Sequence, residues 1–140
     1  IGLVAQTAQP YLSRNSYCVM TLEVDDRVKI IGYGNHESGN QDDLYTCLQD
    51  GPPAVGTAVP ESFLFYAAGI YDDIENCTSD IDSIVDAVTL EGYGRQMNPD
   101  QQYETVEYWI IKNSLSSLWG EEGYIYIPLE NDTCSISQDP

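Results

Sequence analysis

Glycine and proline interrupt this chain so often that few stretches keep helical periodicity for more than about ten residues. With 11 Gly and 7 Pro spread along it, the sequence is left mainly with short extended segments joined by turns. The clearest strand candidates are rich in β-branched and aromatic residues and bounded by turn formers: Arg27–Tyr33, Ala54–Val59, Ile84–Tyr93, Tyr108–Lys112 and Gly123–Pro128. Asn40-Gln-Asp-Asp43 ahead of Leu44, Tyr45, Cys47 and Leu48 predicts a short helix with carboxylates in its first turn, stopped by Asp50-Gly51-Pro52-Pro53. A second helical turn is expected over Ser62–Ala68. There is no internal repeat, low-complexity linker or compositional break. The expected fold is therefore mainly β (α+β) and antiparallel, with one or two short helices. A length of 140 residues with 42% hydrophobic content supports one core.

Charge narrows the partners. Against 5 Lys and Arg stand 23 Asp and Glu, a formal net charge of -18, which disfavours nucleic-acid phosphate and anionic membrane surfaces. No apolar run approaches the roughly 20 residues of a membrane-spanning helix, and no basic region followed by an apolar stretch opens the chain, so neither an anchor nor an uncleaved signal peptide is expected. The first residue is Ile1 rather than Met, which suggests a processed chain or a fragment. The acidic clusters Asp72–Glu75, Asp80–Asp86 and Glu130–Asp132 lack the spacing of a calcium-binding loop and read as a solvated face; no metal and no cofactor is expected. His36, the single histidine, sits in a polar turn and is expected to be exposed, without a carboxylate partner.

Four cysteines, Cys18, Cys47, Cys77 and Cys134, lie far apart and form no Cys-x-x-Cys pair, which favours disulfides over zinc or a redox motif. Asn76-Cys77-Thr78 and Asn131-Asp132-Thr133 match the N-glycosylation acceptor pattern on polar, loop-like stretches. Together these point to the secretory pathway, and to a secreted or extracellular location with a lysosomal or vacuolar one as the alternative.

The most specific segment is Tyr108-Trp-Ile-Ile-Lys-Asn-Ser-Leu-Ser-Ser-Leu-Trp-Gly-Glu-Glu-Gly-Tyr-Ile-Tyr-Ile127. It resembles the papain-like cysteine proteases, the cathepsin family, in which a strand ends in Lys-Asn-Ser-Trp-Gly and leads to Trp-Gly, a short acidic stretch and Gly-Tyr. The match falls at Lys112, Asn113, Ser114, Trp119, Gly120, Gly123 and Tyr124. Pro10-Tyr11, the Gly51-Pro52 turn, Phe65-Tyr66-Ala-Ala-Gly69-Ile70-Tyr71 and Gly92-Tyr93-Gly94 resemble further family pieces in the family's order. The resemblance implies residues 1–20 as the tail of the left lobe and residues 21–140 as the antiparallel, β-barrel-like right lobe. It also implies a Cys77–Cys134 disulfide. Cys18 matches a family cysteine whose partner lies in the other half, Cys47 has no regular counterpart, and the pairing of both stays open: with each other, with a partner chain, or none.

The family's chemistry needs a Cys thiolate, a His that takes its proton and an Asn that orients the imidazole. The nucleophile is expected about 130–150 residues before the His and Asn region, ahead of residue 1 here. The family's catalytic His stands eight residues before the last Gly of Gly-Tyr-Gly, and that position holds Asp86. A second Gly-Tyr-Gly, at Gly32–Gly34, places Asp26 there and supplies no histidine either. A carboxylate is a weak base at neutral pH and, beside a thiol, raises its pKa where activation requires lowering it. The Trp that shields the His–Asn bond in the family is Leu115, and the Gly after it is Ser116. Asn113 remains, with a hydrogen bond to Asp86 as its expected residual role.

The degenerate site Asp86, Asn113 and Leu115 implies a pseudoprotease acting in binding or assembly. The predicted partner is a companion chain carrying the left lobe, or a second copy in an oligomer or filament, because the surface that normally meets that lobe is left apolar and open. The alternative is one chain of a two-chain papain-like endopeptidase. A third class is a decoy that holds peptides in the old cleft without cutting them.

Overall fold

A computed structural model describes residues 12, 14, 15, 17, 28–98 and 104–138 of the chain. They divide into two units, Ile1–Gly34 and Asn35–Pro140, and the second carries every helix and strand described below. Cys18 and Pro10-Tyr11 lie outside the described residues.

Helix α1 spans Gln41–Asp50. Asn40 caps it, its side-chain oxygen accepting from the Asp43 N–H at 3.2 Å, and Asp42 and Asp43 sit at the positive end of the helix dipole. Leu44 is fully buried, with Tyr45 and Leu48 packed on the same core, one apolar stripe at helical spacing. Tyr45 meets Trp109 and Tyr93 with ring centroids 4.8 and 4.7 Å apart. The Gly51 N–H closes the helix on the Cys47 carbonyl, and two prolines prevent its continuation. The second expected helical turn forms as a short 3₁₀ helix over Glu61–Phe65; others cover Ile81–Ser83 and Glu130–Ser135.

Four strands, β1 (Ala54–Ala58), β2 (Ile84–Met97), β3 (Thr105–Lys112) and β4 (Tyr124–Pro128), make an antiparallel sheet in the order β1-β2-β3-β4. This is the mainly β, α+β architecture expected of the sequence. Strand β2 outruns its predicted end because it serves two partners. Its first part pairs with β1 and its second with β3, overlapping at Thr89, with a register shift between Leu90 and Gly92 where the strand changes partner. Trp109 and Ile111 of β3 and Ile125 and Ile127 of β4 alternate into the core, and each such burial contributes on the order of 1.5–3 kcal/mol. The outer face carries Tyr108, whose ring lies over Gly94, so that a methyl group there would meet ring atoms at 2.5–2.7 Å.

After β4 the chain crosses to the opposite edge of the sheet. The Glu130–Ser135 segment packs against β1, Cys134 bonds Cys77, and the Cys134 N–H donates to the Cys77 carbonyl at 3.0 Å. The buried Thr57 hydroxyl on β1 reaches the Cys134 carbonyl at 3.4 Å. This crossing closes the sheet in barrel fashion through a disulfide and side-chain bonds.

Two expectations are corrected. Arg27–Tyr33 does not form a strand: Arg27 lies outside the described residues, Val28 makes a single bridge, and the residues from Lys29 to Tyr33 are irregular. Ile30, Ile31 and Tyr33 are exposed, and β-propensity without a face to bury does not hold a strand together. His36 is also not exposed. Only 8% of it is accessible, because the C-terminal segment folds over its turn: His36 Nε2 lies 3.1 Å from the Ser137 carbonyl, which also accepts from the Gly39 N–H at 2.7 Å.

Gly120 turns the chain into β4 at φ 58°, where a methyl group would collide with the Tyr124 carbonyl oxygen and approach the Tyr66 ring at 3.1 Å. The left-handed conformation alone costs a non-glycine residue about 1–2 kcal/mol. Gly120→Ala is therefore expected to lower stability by about 2–3 kcal/mol in chemical denaturation. Gly92→Ala, whose methyl group would sit 3.8 Å from Ile110 Cδ1, is expected to cost less than about 1 kcal/mol. Equal effects would count against this account of Gly120.

Candidate active-site remnant

Asp86 and Asn113 reach one face of the sheet from neighbouring strands. Asp86 lies on β2, paired with Thr57 of β1, and shares the inward alternation of Val88 and Leu90. Asn113 follows the last residue of β3 and continues the inward alternation of Trp109 and Ile111. Its main-chain N–H donates to the Gly123 carbonyl at 2.9 Å. The pairing of Thr89 with Lys112, carried one step further, sets Asn113 beside Val88, with Asp86 two residues away on the same face.

The expected Asp86–Asn113 hydrogen bond is not formed. Asp86 Oδ1 accepts from the Ala87 N–H at 2.9 Å, and Asn113 Oδ1 accepts from the Ser114 N–H at 2.6 Å. Each oxygen is taken by the next residue's backbone, a local bond that needs no approach between strands. Asn113 Nδ2 is left buried without a partner, a loss of about 1–3 kcal/mol for a desolvated donor. Leu115 is exposed. His36 contacts the C-terminal segment and belongs to that closure.

Residues 114–123 form the loop between β3 and β4, and Trp119 anchors it. Its ring stacks on Phe63 at 5.4 Å and meets Tyr66 at 5.7 Å, while Nε1 donates to the Leu64 carbonyl at 3.2 Å. Trp119 N–H donates to the Ser116 carbonyl, and Gly123 N–H to the Trp119 carbonyl. Ser116 holds φ 96°, a left-handed conformation that favours glycine. Leu64, Phe65 and Leu118 are exposed beside this anchor.

Tyr66 links the loop to the next segment, its hydroxyl donating to the Gly69 carbonyl and Glu121 Oε1 accepting from the Gly69 N–H at 2.7 Å. Burial, reinforced by the negative charge of Glu121, pushes the Tyr66 phenol up to about 12. Carboxylates of the acidic clusters are exposed or half-buried, and several make local bonds: Asp80 caps the turn at Asp82, Asp73 accepts from Asn76, and Asp132 accepts from Ser137 and Gln138. Among the described residues no group of three His, Cys, Asp or Glu is placed to hold a metal ion. The Cys77–Cys134 disulfide is present, Cys47 is a half-buried free thiol, and Asn76 and Asn131 are exposed.

A sheet closed by this disulfide, with an Asn at the end of β3 and a Trp-Gly loop leading to Gly-Tyr, defines the right lobe of a papain-like cysteine protease. The chain belongs to that family: the model for papain family cysteine protease matches residues 1–140. It is 33% identical over 139 residues to cathepsin K of Mus musculus, covering 97% of this chain and 39% of that protein. It is 30% identical over 137 residues to pro-cathepsin H of Medicago truncatula, covering 97% and 37%. Among solved structures, the bromelain protease of Ananas comosus in complex with the E64 inhibitor superposes with a TM-score of 0.77 at 27% identity, covering 99% of this chain and 60% of that one. Digestive procathepsin L 3 of Tenebrio molitor larval midgut gives 0.79 at 29% identity, covering 99% and 42%. The chain spans about two fifths of the length of the curated relatives it matches.

Two predictions follow from the loop. Ser116→Gly relieves an unfavourable backbone conformation and is expected to raise stability by up to about 1 kcal/mol, after the larger unfolded-state entropy of glycine is subtracted, read as a higher thermal midpoint. The folded chain holds the Tyr66 proton more tightly than the unfolded chain does, so this stabilisation is complete below pH 10.0 and is lost as pH rises toward about 12. Unfolding midpoints across that window are expected to fall less steeply for Tyr66→Phe than for the parent chain; parallel curves would contradict the assignment.

Proposed function

We propose that this chain is a catalytically silent member of the papain family whose β lobe serves binding and assembly in the secretory pathway or beyond the cell. The observation that carries this reading is Asp86, the residue at the family's histidine position in the resemblance, with its carboxylate accepting from the Ala87 N–H. Proton transfer from a thiol at neutral pH needs a base with a pKa near the working pH, and an ordinary carboxylate lies far below it. Asn113, whose family role is to orient an imidazole, has an amide nitrogen without a partner. The exposed Leu64, Phe65, Leu115 and Leu118 beside the Trp119 anchor support an apolar contact with a companion chain bearing the left lobe or with a second copy. A formal net charge of -18 requires any contact between two copies to be apolar, bridged by cations or covalent. A peptide held in the old cleft without cleavage suits the same surface.

Retention of Asn113 on a papain-family scaffold supports one other reading, a two-chain endopeptidase in which a companion supplies both the thiol and a histidine. Fluorogenic peptide turnover and labelling by an electrophilic peptide that alkylates an activated thiol separate the two. The silent reading expects no turnover, and no labelling beyond a slow reaction of Cys47 or Cys18 that Asn113→Ala leaves unchanged. Turnover abolished by Asn113→Ala would establish the two-chain enzyme instead.

A further inference from the structure

The Cys77–Cys134 bridge brings the two Asn-x-Thr tripeptides of this chain together. Asn76-Cys77-Thr78 holds one half-cystine at its centre, and Asn131-Asp132-Thr133 ends one residue before the other. The bridged Cα atoms are 4.6 Å apart. Both asparagines are exposed, yet neither tripeptide is free to move as an acceptor. The Thr133 hydroxyl, part of the acceptor signature, is buried and donates to the Glu130 carbonyl at 2.6 Å. Asn131 and Asp132 are fixed at φ 55° and 51°. The first tripeptide is stapled to the second segment by the disulfide, by the Cys134 N–H on the Cys77 carbonyl, and by the Ser135 hydroxyl on the Thr78 carbonyl at 2.9 Å.

We propose that Asn76 and Asn131 form a paired N-glycan acceptor site that is used before the Cys77–Cys134 disulfide closes, so that bridge formation and glycan transfer compete for the same two segments. The inference rests on the secretory-pathway part of the proposed function and is independent of whether the chain cleaves peptides. In the transfer, the Asn amide nitrogen bonds to the anomeric carbon of an oligosaccharide carried on a lipid pyrophosphate. The carbon–oxygen bond to pyrophosphate breaks, and the amide proton leaves with the departing group. In the competing step, both thiols are oxidised by thiol–disulfide exchange with a disulfide donor, which is reduced to its two thiols. Each glycosylated Asn keeps one amide N–H, enough for Asn76 to retain its 2.7 Å bond to Asp73 Oδ1, so the folded structure accepts the product. Closure before transfer instead withdraws the Thr133 hydroxyl and fixes Cys77.

The test expresses the full chain behind a secretory signal in glycosylating cells and reads occupancy at each Asn by peptide mass spectrometry. Three arms are compared: the parent chain, Cys134→Ser, and the parent chain made in the presence of a membrane-permeant thiol reductant. Asn76 occupancy is expected to rise severalfold in the second and third arms, and Thr133→Val is expected to remove the Asn131 glycan alone. Cys134→Ser removes a stabilising cross-link, so the reductant arm, analysed inside the cell, decides the matter if that variant is retained. Equal Asn76 occupancy in all arms would overturn the proposal. So would a parent chain whose Cys77–Cys134 bond is oxidised, which reports entry into the pathway, with neither Asn modified even under reductant. Peptide turnover by the same material would overturn the silent-enzyme reading and leave the occupancy result standing.

Discussion

The return of the chain from β4 to the far edge at β1 is the constraint on which the rest of the lobe depends. A sheet of four strands has two open edges, and unpaired edge groups invite other chains. Here the segment after Leu129 crosses to β1, buries Thr133, Cys134, Ser135, Ile136 and Ser137, and fastens itself by one disulfide and a set of polar bonds. The buried hydroxyls of Thr133 and Ser135 have partners, Thr133 on the Glu130 carbonyl and Ser135 on those of Thr78 and Asp80, and the Ser137 carbonyl accepts from the Gly39 N–H and lies 3.1 Å from His36 Nε2, while the Ser137 hydroxyl is left without one. The lone histidine is held in this closure by its contact with the Ser137 carbonyl.

With the edges tied, the β3–β4 loop rests on an aromatic frame that does not include the family's reacting groups. Phe63, Tyr66 and Trp119 hold one another, and Trp119 holds Leu64 through its indole N–H. Positive φ values at Ser116, Gly120 and Gly123 set the path of the loop. Nothing in that frame needs an imidazole at position 86 or an indole at position 115. The residues that set the fold of this loop are therefore separate from Asp86 and Asn113, and fold similarity and chemistry have to be judged on different residues.

Strands β1, β3 and β4 were legible in the sequence because their β-branched and aromatic runs end in turn formers. Helix α1 was legible because Asn40 and the prolines mark both ends. The disulfide and the site positions were legible only through family resemblance, since the spacing of four cysteines does not choose a pairing. What could not be read was tertiary. Ile30 and Ile31 have strand propensity, yet among the described residues no strand lies beside them; His36 has a loop's surroundings in sequence and the C-terminal segment over it in space. Asn113 and Asp86 share a face, yet each bonds the next N–H, a preference of local geometry that no motif encodes.

The disulfide joins residues 57 positions apart, and all of β2, β3 and β4 lies inside the loop it encloses, while β1 lies outside. A pull applied to the two ends of the Asn35–Gln138 region would travel along the chain to Cys77, pass through the sulfur atoms and leave at Cys134. Tension would strip the C-terminal bonds and load α1 and β1, but it would bypass the three strands that hold Trp109 and Ile111. The disulfide is thus a covalent shunt around the core of the lobe, and β2, β3 and β4 would carry none of a tension applied at the two ends of this region.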